Sequence, residues 1–163
     1  QSRRKRLRLQ RGHARQRILA ADRREAGKAQ ISYYSPATDH IQLPLLEQFR
    51  DMGSFVATRA HETLHWAGGP ARLNRDLSRY HKDRRERAFE EMLVELGSAM
   101  LCADLGIVPE LAPRPDHAAY IQSWAEILGS DKRAIFNAAA HAQRAVAYLH
   151  DLQPEATAGQ EAA

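Results

Sequence analysis

The stretch His61-Glu62-Thr63-Leu64-His65 is an H-E-x-x-H pattern, and it lies inside a predicted helix. Residues four apart project from the same face of an α-helix, so the two histidines can converge on one metal ion. Glu62 lies beside the first histidine, too far round the helix to bind the same ion easily. It is instead placed to accept a proton from water at the metal. The pattern therefore predicts a catalytic zinc site. The competing interpretation is a structural pair of histidines beside a helix-favouring glutamate.

The predicted helix that carries this pattern runs from about Phe55 to Trp66. Ser54 is its predicted N-cap, and the sequence Gly68-Gly69-Pro70 ends it. Upstream, residues 31–34 and 40–44 are β-prone and flank a turn-like sequence, which predicts a hairpin. This segment therefore predicts one small hairpin followed by the metal-binding helix.

A second helix, predicted from about Glu86 to Leu105, offers carboxylates for the third ligand that a catalytic zinc needs. Glu91 and Glu95 are four residues apart and share one face, although an ordinary solvated helix would show the same spacing. Spacing alone leaves Glu91 and Glu95 as alternatives for the third ligand. We take Glu91 as the ligand and expect Glu95 to orient His61 or His65 from outside the coordination sphere. Glu90 is expected to point into solvent.

Two further helices complete the predicted fold, one over about Asp116 to Leu128 and one after Asp131. Helix dominates and the strands are few, so the fold class is α+β, mostly helical with a small N-terminal hairpin or sheet. The connection between the first two helices contains Tyr80 and His81. Either side chain could polarise a substrate carbonyl, and either could instead have only a surface role. Trp66 and Cys102 are expected in the core.

Charge is distributed unevenly along the chain. Residues 1–30 contain 11 of the 24 basic side chains and 2 of the 20 acidic ones, whereas the remainder has a net charge of −5. A basic segment with so few large apolar residues predicts a disordered leader at 1–30, followed by one domain at 31–152 and a disordered tail at 153–163. The leader could contact nucleic acid through phosphates, but it has no aromatic side chain for base stacking.

The cellular setting is predicted from what the sequence lacks. A single cysteine excludes a disulfide framework, and no apolar run approaches the roughly 20 residues that span a bilayer. The basic start has no apolar core of the kind found in secretory leaders. We therefore expect a cytoplasmic protein with no membrane partner.

Beyond these patterns, five stretches together resemble the zincin-like metallopeptidase domain of ArdC-type antirestriction proteins and TraC-type plasmid primases. They are Tyr34–Pro44, His61–Trp66, Arg72–Leu77, Phe89–Gly97 and Asp116–Trp124. The segment Asp131–Phe136 and the alanine-rich helix after it also match. The resemblance therefore covers roughly residues 31–150 and implies a zincin-like fold.

The resemblance implies zinc bound by His61 and His65 with Glu62 as catalytic base, and by likeness to other zincins it favours Glu91 as third ligand. It implies hydrolysis of protein or peptide substrates, which could include host defence proteins, during entry of mobile DNA. Full-length members carry an N-terminal single-stranded DNA-binding domain, which the basic leader does not resemble. Contact with nucleic acid is therefore expected only through such a domain or through the leader. The rival hypothesis is a non-hydrolytic, DNA-associated module whose metal is structural or vestigial.

Overall fold

Four helices make up most of the structure, a computed structural model that describes residues 31–107 and 115–153. In chain order they are α1 (Met52–Ala67), α2 (Arg84–Asp104), α3 (Pro115–Ser130) and α4 (Ala134–Asp151). Helix α2 contacts each of the other three helices and so forms the centre of the fold. The predicted leader (1–30) and the tail from residue 154 onward lie outside the described residues.

A two-stranded antiparallel sheet precedes the helices, as the sequence predicts. Strand β1 (Tyr33–Ser35) pairs with β2 (His40–Gln42), with Tyr34 opposite Ile41. The turn between them includes Asp39 at φ 51°, a left-handed conformation that Asp tolerates better than most residues. Both strands pack against α1, which carries the H-E-x-x-H pattern. The hairpin is thereby held over the same helix that supplies the two histidines.

The start of α1 differs from the prediction. The N-cap is Asp51 and not Ser54, because the Asp51 carboxylate accepts a hydrogen bond from the Ser54 backbone N–H at 2.6 Å. Helix α2 also starts earlier than predicted, at Arg84, since Asp83 accepts from the backbone N–H groups of Arg85 and Glu86. Both α1 and α2 therefore begin at an aspartate cap that the apolar periodicity does not reveal.

Small side chains let the helices approach closely in the core. The face of α4 that packs inward is made mostly of alanine: Ala134, Ala138, Ala142 and Ala145 are buried there. From α1 and α2, the buried apolar side chains larger than alanine are Leu64, Trp66, Met92, Leu93, Val94 and Cys102. The core positions predicted for Trp66 and Cys102 are therefore confirmed. In residues 31–107 and 115–153, no helix has the apolar length needed to cross a bilayer.

Candidate metal centre

The two histidines of α1 lie side by side, as their spacing on the helix predicts. Their ring centroids are 5.0 Å apart, and the rings meet edge to face. His65 is buried, and the His61 side chain is only 15% exposed. The two imidazoles therefore line a cleft and are largely shielded from solvent.

Glu91 of α2 lies opposite both histidines. Its Oε2 is 3.5 Å from Nε2 of His61, and its Oε1 is 3.5 Å from Nε2 of His65. One donor atom from each of the three residues lies within 4.8 Å of the others. Donors bound to one tetrahedral ion at about 2.0–2.1 Å would be separated by about 3.3 Å, so the observed spacing suits a small divalent cation. The structure thus brings His61, His65 and Glu91 into an arrangement that fits such an ion.

The other ring nitrogen of each histidine faces a different carboxylate. Nδ1 of His61 is 3.3 Å from Oε1 of Glu95, and Nδ1 of His65 is 3.2 Å from Oε1 of Glu90. Nδ1 of His65 can therefore donate its proton to Glu90, whereas Nδ1 of His61 faces Glu95 without completing a hydrogen bond. With each Nδ1 proton directed outward, Nε2 is the ring atom left to bind a metal. This tautomer is the one that a metal between the three side chains requires.

The expectation that Glu90 points into solvent is wrong. Glu90 is 6% exposed, and besides His65 it contacts Arg75, whose NH2 lies 2.6 Å from Oε1 and whose Nε lies 3.1 Å from Oε2. The connection between α1 and α2 folds back over this part of the site and brings Arg75 to Glu90. Burial raises the pKa of Glu90, but His65 and Arg75 outweigh that effect and hold it below its usual value.

Carboxylates dominate the electrostatics of the centre. Burial lowers the pKa of His61, but Glu91 and Glu95 more than reverse this effect and raise it to about 10. In the same way, the pKa of His65 is raised against the effect of burial by Glu90 and Glu91. Burial raises the pKa of Glu91, yet the two histidines and Tyr80 hold it far below its usual value. Since four glutamates surround two imidazoles and one guanidinium, a divalent cation would offset excess negative charge.

Glu62 lies beside the centre without joining the ligand cluster. It is 6% exposed but lines the same cleft as the two histidines. Burial raises its pKa, an effect that the neighbouring His61 and His65 partly oppose. A buried carboxylate with a raised pKa next to a metal site has the properties of a proton acceptor that can also return its proton.

Tyr80 and His81 both line the cleft, but only Tyr80 contacts a residue of the ligand cluster. The Tyr80 hydroxyl donates to Oε1 of Glu91, and its ring meets the His65 ring edge to face with centroids 5.9 Å apart. His81 is exposed and packs against the Tyr80 ring. Of the two candidates from the connecting segment, Tyr80 is therefore the one held at the centre.

The cleft has a volume of about 1040 Å³, enough for several residues of a peptide. Its lining includes Tyr33, Tyr34 and Pro36 of the hairpin and several residues of the connecting segment, among them Tyr80 and His81. The two histidines, Glu62 and Glu91 line the same cleft, so a substrate bound in it would have access to the candidate metal centre.

Residues 14–141 match a family described as zincin-like metallopeptidases. The matched range begins within the basic N-terminal segment and ends within α4. It contains both helices that supply the candidate ligands.

Two relatives extend the comparison. The uncharacterized protein y4eC of Sinorhizobium fredii is 46% identical over 138 residues, which is 85% of this chain and 43% of that protein. DNA primase TraC of Escherichia coli is 40% identical over 119 residues, which is 72% of this chain and 11% of the primase. The chain thus spans less than half the length of these relatives.

Similar solved structures are those of the antirestriction protein ArdC from the R388 plasmid. The Mn(II)-bound form has a TM-score of 0.70 and 40% identity, over 80% of this chain and 48% of that one. The metal-free form has a TM-score of 0.67 and 42% identity, over 77% and 44%. The zincin-like fold is thereby confirmed. The convergent donors and the Mn(II)-bound neighbour together support a divalent metal ion as cofactor.

Proposed function

The chain belongs to the zincin-like metallopeptidase family, and from this membership and the geometry of the centre we propose that it is a zinc-dependent peptidase. Zinc would be held by Nε2 of His61, Nε2 of His65 and a carboxylate oxygen of Glu91. The observation that carries the proposal is the convergence of these three donors beside Glu62, a buried carboxylate that shares their cleft without joining the cluster.

When bound, zinc would supply Lewis acidity, which activates water and polarises the scissile carbonyl. Glu62 accepts a proton from the attacking water and later delivers it to the leaving nitrogen. Its raised pKa suits both steps, because a carboxylic acid that is harder to ionise is a better base when ionised. Its burial also limits competing exchange of that proton with bulk water.

Tyr80 supplies a second polar group at the reacting carbonyl. Its hydroxyl already lies at Glu91, within the ligand cluster. A rotation of the side chain would let it donate a hydrogen bond to the carbonyl oxygen as negative charge develops there. His81, which is exposed and farther from the ligands, is assigned no such role.

A catalytic site is favoured over a structural one by the number of ligands. Structural zinc is almost always held by four protein side chains, whereas catalytic zinc keeps one position open. Among the described residues, the cluster consists of His61, His65 and Glu91. The same count argues against the rival hypothesis of a DNA-associated module with a purely structural metal.

The biological setting follows from what the chain is similar to. ArdC is described as an antirestriction protein from a plasmid, and TraC as a DNA primase. We infer that this chain, too, acts in the transfer or establishment of mobile DNA, with protein or peptide substrates that could include host defence proteins.

The variant Glu62→Gln tests the proposal, since it keeps the size and shape of the side chain but cannot accept a proton. We expect it to bind zinc as the unaltered protein does and to lose peptidase activity by about 10²–10⁴-fold. Activity would be measured on a fluorogenic peptide library and on proteins of a recipient-cell extract, with His61→Ala as the metal-free control. The same variants would be compared in a plasmid-transfer assay. If Glu62→Gln kept full transfer activity while His61→Ala lost it, hydrolysis would be refuted as the function.

A further inference from the structure

Two arginines of the segment that follows α1 are buried in closely similar ways. The side chains of Arg72 and Arg75 are 7% and 8% exposed. Each donates to a backbone carbonyl in the last turns of α1, Arg72 to that of Trp66 and Arg75 to that of Leu64 at 2.7 Å. The two arginines therefore add side-chain donors to carbonyls at the same helix end, where backbone donors are scarce.

Each guanidinium also occupies space left by a glycine. A Cβ at Gly68 would lie 2.6 Å from Cζ of Arg75, and a Cβ at Gly69 would clash with the Arg72 guanidinium. The Gly68-Gly69 pair thus does more than end α1. It leaves room for the two guanidinium groups to pack against the backbone of the glycines. This close packing accounts for the burial of both arginines.

The carboxylates that the two arginines contact differ in what they touch next. Arg72 binds Asp39 through two nitrogens and covers the Trp66 ring with its guanidinium 4.0 Å from the ring centroid, which fastens the hairpin to α1. Arg75 binds both oxygens of Glu90, and Glu90 in turn contacts Nδ1 of His65. The Arg75 contacts therefore lead to a candidate metal ligand, whereas the Arg72 contacts lead away from it.

We propose that Arg75 is a positioning residue for the metal centre, acting through Glu90 to hold the His65 ring with Nε2 turned toward Glu91. Glu90 is buried and shares its Oε1 between the two partners, so its orientation depends on the two bonds from Arg75. Without them, the carboxylate could rotate away from Nδ1 and release the ring. This inference rests on the proposed metal site but not on peptidase activity.

Arg75→Met and Arg72→Met form a matched pair for the test. Both remove a buried guanidinium, a carbonyl contact and an ion pair. Zinc affinity of the full chain would be measured by competition with a chelating dye, and thermal unfolding would be measured on the metal-free proteins. We expect similar losses of thermal stability but about 10–100-fold weaker zinc binding only in Arg75→Met. Equal zinc affinities of the two variants would overturn the proposal.

A double-mutant cycle tests whether Arg75 acts through Glu90. Glu90→Gln should also weaken zinc binding, and adding Arg75→Met to it should cost little more, because the path is already broken. Fully additive losses would show that Arg75 affects the metal by another route and would refute the proposed path. Arg75→Lys, which retains one donor toward Glu90, should restore part of the affinity and also serves if the methionine variant does not fold.

The visible absorption of the Co(II)-substituted protein gives a readout of ligand geometry that thermal stability does not supply. Arg75→Met should alter this spectrum, whereas Arg72→Met should leave it unchanged. A protein that cleaves no peptide but shows these differences would refute the proposed function and leave the role of Arg75 intact. If the protein cleaves peptides but Arg75→Met and Arg72→Met have the same spectrum and the same zinc affinity, the proposed function stands and the role of Arg75 is refuted.

Discussion

Leu64, which lies between Glu62 and His65 in α1, packs directly onto Gly97 of α2. A Cβ at Gly97 would lie only 2.7 Å from Cδ1 of Leu64 and 3.5 Å from Cβ of Ala142 in α4. Leu64 is also fully buried, so it has little room to move aside. The absence of a side chain at Gly97 therefore sets how closely the two helices that carry the candidate ligands approach.

Gly97→Ala should accordingly destabilise the protein, although alanine is the better helix former. Overpacking of this kind costs about 1–3 kcal/mol, which exceeds the roughly 1 kcal/mol gained from helix propensity. Gly129→Ala in α3 is the matched control, since a Cβ there would meet nothing within 4 Å and should leave stability unchanged or raise it. Urea unfolding of the metal-free proteins would measure both changes. Stabilisation by Gly97→Ala would show that α1 and α2 can separate easily.

The roles of Glu91 and Glu95 are separable by metal titration. Glu91→Ala removes the carboxylate whose two oxygens face the two Nε2 atoms, so tight zinc binding should be abolished. Glu95→Ala removes only the partner of Nδ1 in His61, so affinity should fall by about 10–100-fold. A metal-sensitive dye would rank the two losses. If Glu95→Ala proved the more damaging variant, the third ligand would be Glu95.

Loss of either histidine should remove the metal. His61→Ala and His65→Ala each leave two protein ligands, too few for a stable zinc site. His150→Ala is a suitable control, because His150 is half exposed and pairs with Asp104 away from the centre. Elemental analysis of the purified proteins would give the metal content. Full occupancy in both α1 variants would mean that the ion binds elsewhere.

The metal-free protein should lose stability as the pH rises. Folding raises the pKa of His61 from 6.5 to about 10, so the folded state binds this proton more tightly than the unfolded state does. The resulting stabilisation is complete below pH 6.5 and is lost between about pH 6.5 and 10. Urea unfolding in the presence of a chelator would show this trend, and His61→Gln should weaken it, leaving the part that comes from the raised pKa of His65. A stability that rises over this range would contradict the expected charge state of His61.

Helical spacing predicts which side chains share a face, but not which carboxylate faces both histidines. The i,i+4 rule places His61 beside His65, and the same rule places Glu91 and Glu95 on one face of α2, as the structure has them. Glu90 could not be placed in this way, because its burial depends on Arg75, fifteen residues earlier in an irregular segment. The path of that segment is set by tertiary contacts and by the space at Gly68, neither of which produces a periodic pattern in the sequence.

The candidate ligands come from two consecutive helices, and this has a consequence for the segment between them. An ion bound to His65 and Glu91 would tie together the two ends of that segment in the folded protein. The unfolded chain does not hold these ligands together, so the ion would favour the folded state and its closed segment. Removing the ion would therefore loosen the very segment that carries Arg75 and Tyr80, so that a chelator should increase proteolytic cleavage there first.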